Sequence, residues 1–172
     1  MIDMEIGNAI SPPMEAVPPP ISANENQPAH RPEKFVTFQL GDGVYAIRAA
    51  MVAEVSQNLP LTPLPGTKPY LLGLSPLRGE IVAKIDLRSI LGERPGSSSN
   101  PKAKEIILKR TSPGAAPVAF GVDRLGEIAT LDIAKICPLQ DNGDLFIGEV
   151  NSHERSLKVV DHRMLLASIE PD

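Results

Sequence analysis

Tyr70–Gly92 reads YLLGLSPLRGEIVAKIDLRSILG. Its opening, Tyr70–Leu74, is an apolar turn or short helix by composition, and Pro76–Gly79 is a turn. Glu80–Asp86 alternates, with Ile81, Ala83 and Ile85 on one face, as a strand does. Asp86 then precedes Leu87–Leu91 and Gly92, which is an N-cap, a short helix and a C′ glycine. These 23 residues contain no obvious catalytic group.

The stretch has an echo 75 residues on. Ile85-Asp86-Leu87-Arg88-Ser89-Ile90-Leu91 resembles Val160-Asp161-His162-Arg163-Met164-Leu165-Leu166, and Tyr70-Leu71-Leu72-Gly73 resembles Leu145-Phe146-Ile147-Gly148. At an offset of 73, Val52-Ala53-Glu54-Val55 resembles Leu125-Gly126-Glu127-Ile128. Three matches in one order at nearly one spacing imply two similar units of short strands, each with one capped helical turn. Short strands at this spacing point to a mainly β protein built as two small barrels, which avoid open sheet edges. Barrels this small bury little surface alone and are expected to pack on each other.

Outward from these anchors, Phe35–Leu40 and Val44–Ile47 form a hairpin around Gly41-Asp42-Gly43. Arg48–Val55 is rich in helix formers and reads as a short helix running into a strand. Lys104–Arg110, Pro117–Val122, Leu125–Leu131, Leu145–Val150 and Leu157–Val160 read as strands, and His162–Ser168 as a helix capped by Asp161. Gly92–Ala103 is a linker by composition, and it divides the two units.

Residues 1–34 differ in kind. They hold seven of the 18 prolines, and five acids against two bases. Such a segment cannot bury a core and is read as a disordered, proline-rich tail, leaving 35–172 as the folded region. The remainder is nearly neutral, with 16 acids and 15 bases, and aromatics make up 3% of the chain. No basic block is present, so a nucleic-acid partner is not expected. No apolar run reaches the roughly 20 residues that cross a bilayer, and no signal peptide is visible. The single cysteine fits a reducing compartment, and the expected location is cytoplasmic.

Catalytic chemistry is not expected. Cys137 with His153 or His162 would be the only nucleophile and base, but Cys137 lies in the apolar run AKICPL and reads as a buried thiol. The histidines are too scattered to hold a metal, and no phosphate loop or dinucleotide motif occurs, so no cofactor is expected. Asp86 and Asp161 resemble an acid/base pair, yet their equivalent places in the repeat mark them as helix caps. Arg78 follows an apolar run in a Pro/Gly turn, which reads equally as a solvated arginine or as an interface anchor.

Residues 35–168 resemble the CheW family of chemotaxis scaffold proteins. The matching segments are FVTFQLGDGVYAI, MVAEV, LTPLPGTKPYLLGLSPLRGEIVAKIDLRSILG, FGVDRLGEI and ERSLKVVDHRMLL. The resemblance implies two intertwined five-stranded SH3-like barrels, with strand exchange between the subdomains. It implies a non-catalytic adaptor that couples transmembrane chemoreceptors to a CheA-type histidine kinase. The implied partners are the cytoplasmic hairpin tip of the receptor and the regulatory domain of the kinase, with no direct membrane insertion.

The resemblance implies that the receptor tip binds in a groove between the subdomains; by motif, contact carries over to Val52, Glu54, Gly73, Arg78 and Gly79, and in the second half Gly121, Val122 and Ile128 border the same groove. Kinase contact falls on exposed barrel edges and loops, with no residue assigned. Ser75-Pro76 stands where the family usually has Asn, and Ala83-Lys84 where it often has Pro. These departures keep a scaffold for pilus-based or surface motility as the second reading. A small-barrel nucleic-acid-binding module is the rival from another class.

Overall fold

A computed structural model describes residues 31–93, 104–139, 143–152 and 155–169. Residues 1–30 of the proline-rich segment, residues 94–103 of the linker, and His153 therefore lie outside the described residues. In chain order come β1 (Pro32–Leu40), β2 (Gly43–Arg48), β3 (Val52–Gln57), β4 (Leu71–Leu77), β5 (Glu80–Ile85), α1 (Leu87–Leu91), β6 (Lys104–Leu108), β7 (Val118–Val122), β8 (Arg124–Asp132), β9 (Phe146–Ser152), β10 (Arg155–Val160) and α2 (His162–Ile169).

The strands form two five-stranded sheets, the first ordered β8-β1-β2-β10-β9 and the second β3-β6-β7-β5-β4. The mainly β expectation, with few short helices, holds. Each hairpin sits in the sheet of the other repeat. β1–β2 lies between β8 and β10, and β6–β7 lies between β3 and β5. The parallel contacts match, with Leu157 beside Val44 and Ala83 beside Val118. The outer edge of β4 is bridged by its own connector at Thr62–Leu74, and that of β9 at Cys137–Glu149, 75 residues on. Each connector thus covers part of one edge of its sheet.

Alternation explains why the hairpin strands are apolar throughout. Val36, Phe38, Leu40, Tyr45 and Ile47 of the first sheet meet Ile106, Leu108, Val118, Phe120 and Val122 of the second in one shared core. The intervening residues turn into their own barrels: Phe35 and Ala46 with Ile136 and Val159, and Ile107 and Ala119 with Leu59 and Val82. Phe38 joins the two sheets, stacking on Tyr45 at 5.8 Å between ring centroids and leaning on Phe120 at 5.6 Å. Burying each such side chain stabilises by roughly 1.5–3 kcal/mol, so neither sheet is complete without the other.

The two aspartates cap their helices. Asp86 accepts from Arg88 N at 3.1 Å, and Asp161 from Arg163 N at 2.9 Å. Each also donates its own N–H to a repeat-equivalent carbonyl, Tyr70 at 2.7 Å and Leu145 at 2.8 Å. Gly92 closes α1 at φ +70.

Four local readings are narrowed or corrected. Arg48–Val55 does hold a short helix running into a strand, but the helix is a single 3-10 turn, Ala49–Met51, because Val52 to Gln57 pair with β6 as β3. Tyr70–Leu74 is not a turn or helix, since Leu71 onward is strand, held by β5 on one side and Thr62 on the other. The turn expected at Pro76–Gly79 shrinks to Arg78-Gly79. Pro76 lies in the edge strand, where its missing N–H is tolerated. Cys137 is exposed, because the buried position in that run goes to Ile136.

Candidate docking site

The β4–β5 hairpin closes in two residues, with Leu77 opposite Glu80. Arg78 has φ +49 and Gly79 φ +83. Both central residues are therefore left-handed, the type I′ arrangement that matches strand twist. Glycine adopts it freely. Arginine does so at a steric cost of about 1–2 kcal/mol, so the surrounding hairpin holds Arg78 in a strained conformation.

That conformation aims the side chain across the barrel end. Arg78 Nη2 lies 3.0 Å from Glu54 Oε2, with the arginine side chain 80% exposed and the glutamate 24%. Glu54 belongs to β3 and Arg78 to the turn directly after β4, and β3 and β4 are the two edge strands of the second sheet. So open an ion pair contributes about 0–1 kcal/mol to stability, and exchanging it for another partner costs little.

The pair stands over a cleft of about 510 Å³. Ala53 and Leu77 give it apolar walls over the buried Ile107 and Pro117, and Glu80, Lys109 and Arg110 join Glu54 and Arg78 in lining it. Ile107 and Leu77 also belong to the small core inside the second barrel, so the cleft is that barrel's mouth. An apolar trough edged by charges suits an amphipathic segment.

The motif residues divide by place. Glu54 and Arg78 meet at the mouth, with Gly79 beside them. Val52 lies two residues before Glu54, opposite Leu108, and leans on the shared core. Gly73, at the other end of β4, has its backbone against Thr62 and Pro63. Gly121 faces open space, while Val122 contributes its side chain to the shared core. Ile128 is on the first sheet, 65% exposed, at the repeat position of the exposed Val55. Sequence reasoning missed Leu77, Glu80, Arg110 and Pro117. They come from separate strands and loops, so no local pattern unites them. Among the described residues no group of His, Cys, Asp and Glu is placed to hold a metal, and no helix is long and apolar enough to cross a membrane.

The model of the CheW-like domain family matches residues 34–170. The chain belongs to the CheW-like domain family. Among curated CheW proteins, the chain is similar to the "Chemotaxis protein CheW" of Klebsiella aerogenes, 29% identical over 143 residues that cover 80% of this chain and 84% of the relative. It is similar to that of Helicobacter pylori, 28% identical over 131 residues, 74% and 77% of the two chains. Bacillus subtilis CheW is 27% identical over 139 residues, 78% and 86%. The fold resembles the crystal structure of the scaffolding protein TtCheW from Thermoanaerobacter tengcongensis, with a TM-score of 0.68 at 23% identity, covering 76% of this chain and 90% of that one.

Proposed function

We propose that this CheW-like chain is a non-catalytic adaptor that couples transmembrane chemoreceptors to a CheA-type histidine kinase in bacterial chemotaxis. The observation that carries the reading is the barrel mouth, an apolar trough spanned by a strained arginine whose ion pair is weak enough to exchange. The receptor's cytoplasmic hairpin tip lays an apolar helix face in the trough, and Arg78 fixes its register by a charge-assisted bond to a carboxylate or carbonyl. Ile128 and Val55 supply exposed apolar contacts beyond the mouth. The kinase's regulatory domain binds elsewhere on the barrel edges, so that a receptor shift changes the kinase's active population through the adaptor. This places the protein at membrane-bound receptor arrays without inserting it in the bilayer.

The test is titration of the full chain with the cytoplasmic fragment of a chemoreceptor from the same organism, for wild type and Arg78→Ala. The expected result is tight binding by wild type, weakened at least about tenfold by the substitution, with the thermal transition retained. Equal affinity of the two proteins, or loss of folding in the variant, overturns the role of Arg78. Co-purification of a receptor with a histidine kinase from cells names the pathway, and separates chemotaxis from pilus-based motility.

A further inference from the structure

The same mouth holds a second ion pair that no motif assigns. Arg110 Nη2 lies 2.7 Å from Glu80 Oε1, and both side chains are about half exposed. Glu80 opens β5 directly after the Arg78-Gly79 turn, and Arg110 follows the end of β6. The first pair ties β3 to the hairpin turn, and the second ties β5 to the segment beyond β6. Both line one cleft.

Two features make the second pair more than a surface contact. The cleft is lined by three cations, Arg78, Lys109 and Arg110, and two anions, Glu54 and Glu80, so its rim favours an acidic guest. Each guanidinium carries five N–H donors in a planar fork, and each ion pair occupies only part of it. A carboxylate arriving on a bound segment can join or replace the resident glutamate. The apolar guest would also shield the new pair from water, strengthening it relative to the exposed one.

We propose that Arg78 and Arg110 form a two-point carboxylate clamp. The guest is an amphipathic protein helix whose apolar stripe rests on Ala53 and Leu77, the apolar lining residues that keep exposed surface, with an acidic side chain on each flank. One charged contact would fix position along the trough but leave the helix free to lie either way. Two contacts on different strands also hold its angle across the trough. The inference rests on the adaptor reading above, and it defines the chemistry of the receptor segment that the mouth takes.

The test uses the full chain and the same receptor fragment, titrated at low and at physiological salt. Arg110→Ala is expected to weaken binding about tenfold, and Arg78→Ala with Arg110→Ala about a hundredfold, with a shallower salt dependence. Glu80→Gln frees the Arg110 fork and is expected to bind at least as well as wild type. Arg110→Lys, which keeps the charge without the fork, is expected to restore part of the loss. Arg163→Ala, exposed on α2 and outside the cleft, is the control and should bind as wild type. If Arg110→Ala does not fold, Glu80→Gln and Arg110→Lys carry the test, and weaker binding by Glu80→Gln overturns the clamp. If Arg78→Ala weakens binding and Arg110→Ala does not, the clamp is wrong and the adaptor reading stands. If the wild-type chain fails to bind the fragment, both fall.

Discussion

Gly73 presses its backbone against Thr62. A Cβ built on it would stand 2.9 Å from the Cα of Pro63 and nearer still to the Thr62 carbonyl, and its φ is +149. Gly148 stands in the same relation to Cys137 with φ +155. The repeat demands glycine at both places because a connector crosses the edge strand there.

Gly73→Ala is therefore expected to lose at least about 3 kcal/mol through backbone strain and displacement of the Thr62 bridge. Gly121→Ala meets no atom within 4 Å and is expected to be neutral, or stabilising by up to about 1 kcal/mol. Denaturant melts of the two variants check this. A receptor defect in Gly73→Ala then reports folding, whereas one in Gly121→Ala reports contact. Equal stability of the two variants would refute the distinction.

Arg88 is buried on α1 and ion-paired to Asp123 in the turn between β7 and β8. Asp123 also accepts the Gly41 N–H at 2.7 Å, so one carboxylate joins α1, the β1–β2 turn and the β7–β8 turn. Arg88→Ala is expected to destabilise by about 3 kcal/mol, the low end for a broken buried pair because Asp123 is partly wet. Its repeat counterpart Arg163 is exposed, and Arg163→Ala should stay within about 0.5 kcal/mol. Thermal melts that rank them the other way would be decisive against this reading.

The second barrel also hides Lys84 and Glu105, paired at 2.7 Å, with Glu105 Oε2 left without a partner. The repeat places Val159 and Phe35 at the corresponding positions of the first barrel, where both are buried apolar residues. Removing one charge alone, as in Lys84→Val, is expected to destabilise by about 3–5 kcal/mol, since it strands a buried carboxylate. Adding Glu105→Phe should recover most of that loss. Calorimetry on the single and double variants tests it, and a double variant no better than the single would sink the idea.

His162 occupies the repeat position of Leu87 and is 4% exposed, with Nδ1 unbonded. Burial pushes its pKa below the ordinary 6.5; the facing Asp161 carboxylate opposes the shift, and Arg48 and Arg163 add to it. Arg48 Nε lies 3.1 Å from Glu33 but out of line for a hydrogen bond, so its guanidinium charge is not fully spent there. With the folded pKa depressed, the unfolded chain takes up the proton first. Stability is then full above about pH 6.5 and falls as the pH drops from there through the folded pKa. His162→Leu is expected to flatten the change in Tm between pH 7.5 and 5.5. An unchanged slope would assign the acid sensitivity to other groups.

Much of this architecture could be read from residue types. The 75-residue offset reappears in hydrogen bonds, as Tyr70 to Asp86 and Leu145 to Asp161, and in the paired bridges to β4 and β9. Caps and repeats are local or periodic, so they survive in one dimension. Strand Leu71–Leu77 was hidden because its apolar opening, Tyr70–Leu74, carries no period that separates strand from turn, and Ser75-Pro76 reads as a break. The helix in Arg48–Val55 is only a single turn because pairing with β6 overrides helix propensity. At the docking mouth, Glu54 and Arg78 were within reach through the motif, but Glu80 and Arg110 were not. Their closeness is made by strands 30 residues apart in sequence.

The crossed hairpins also dictate an order of events during synthesis. β1 and β2 leave the ribosome first, yet their lateral neighbours, β8 and β10, are encoded by residues 124–160. The second sheet is contiguous, from Val52 to Val122, and can assemble while the first two strands wait. β1 gains its neighbour when β8 emerges, but the outer edge of β2 stays unpaired until β10 does. The nascent chain thus carries an unpaired, aggregation-prone edge on β2 from the synthesis of that strand until β10 arrives, and the first sheet closes only then.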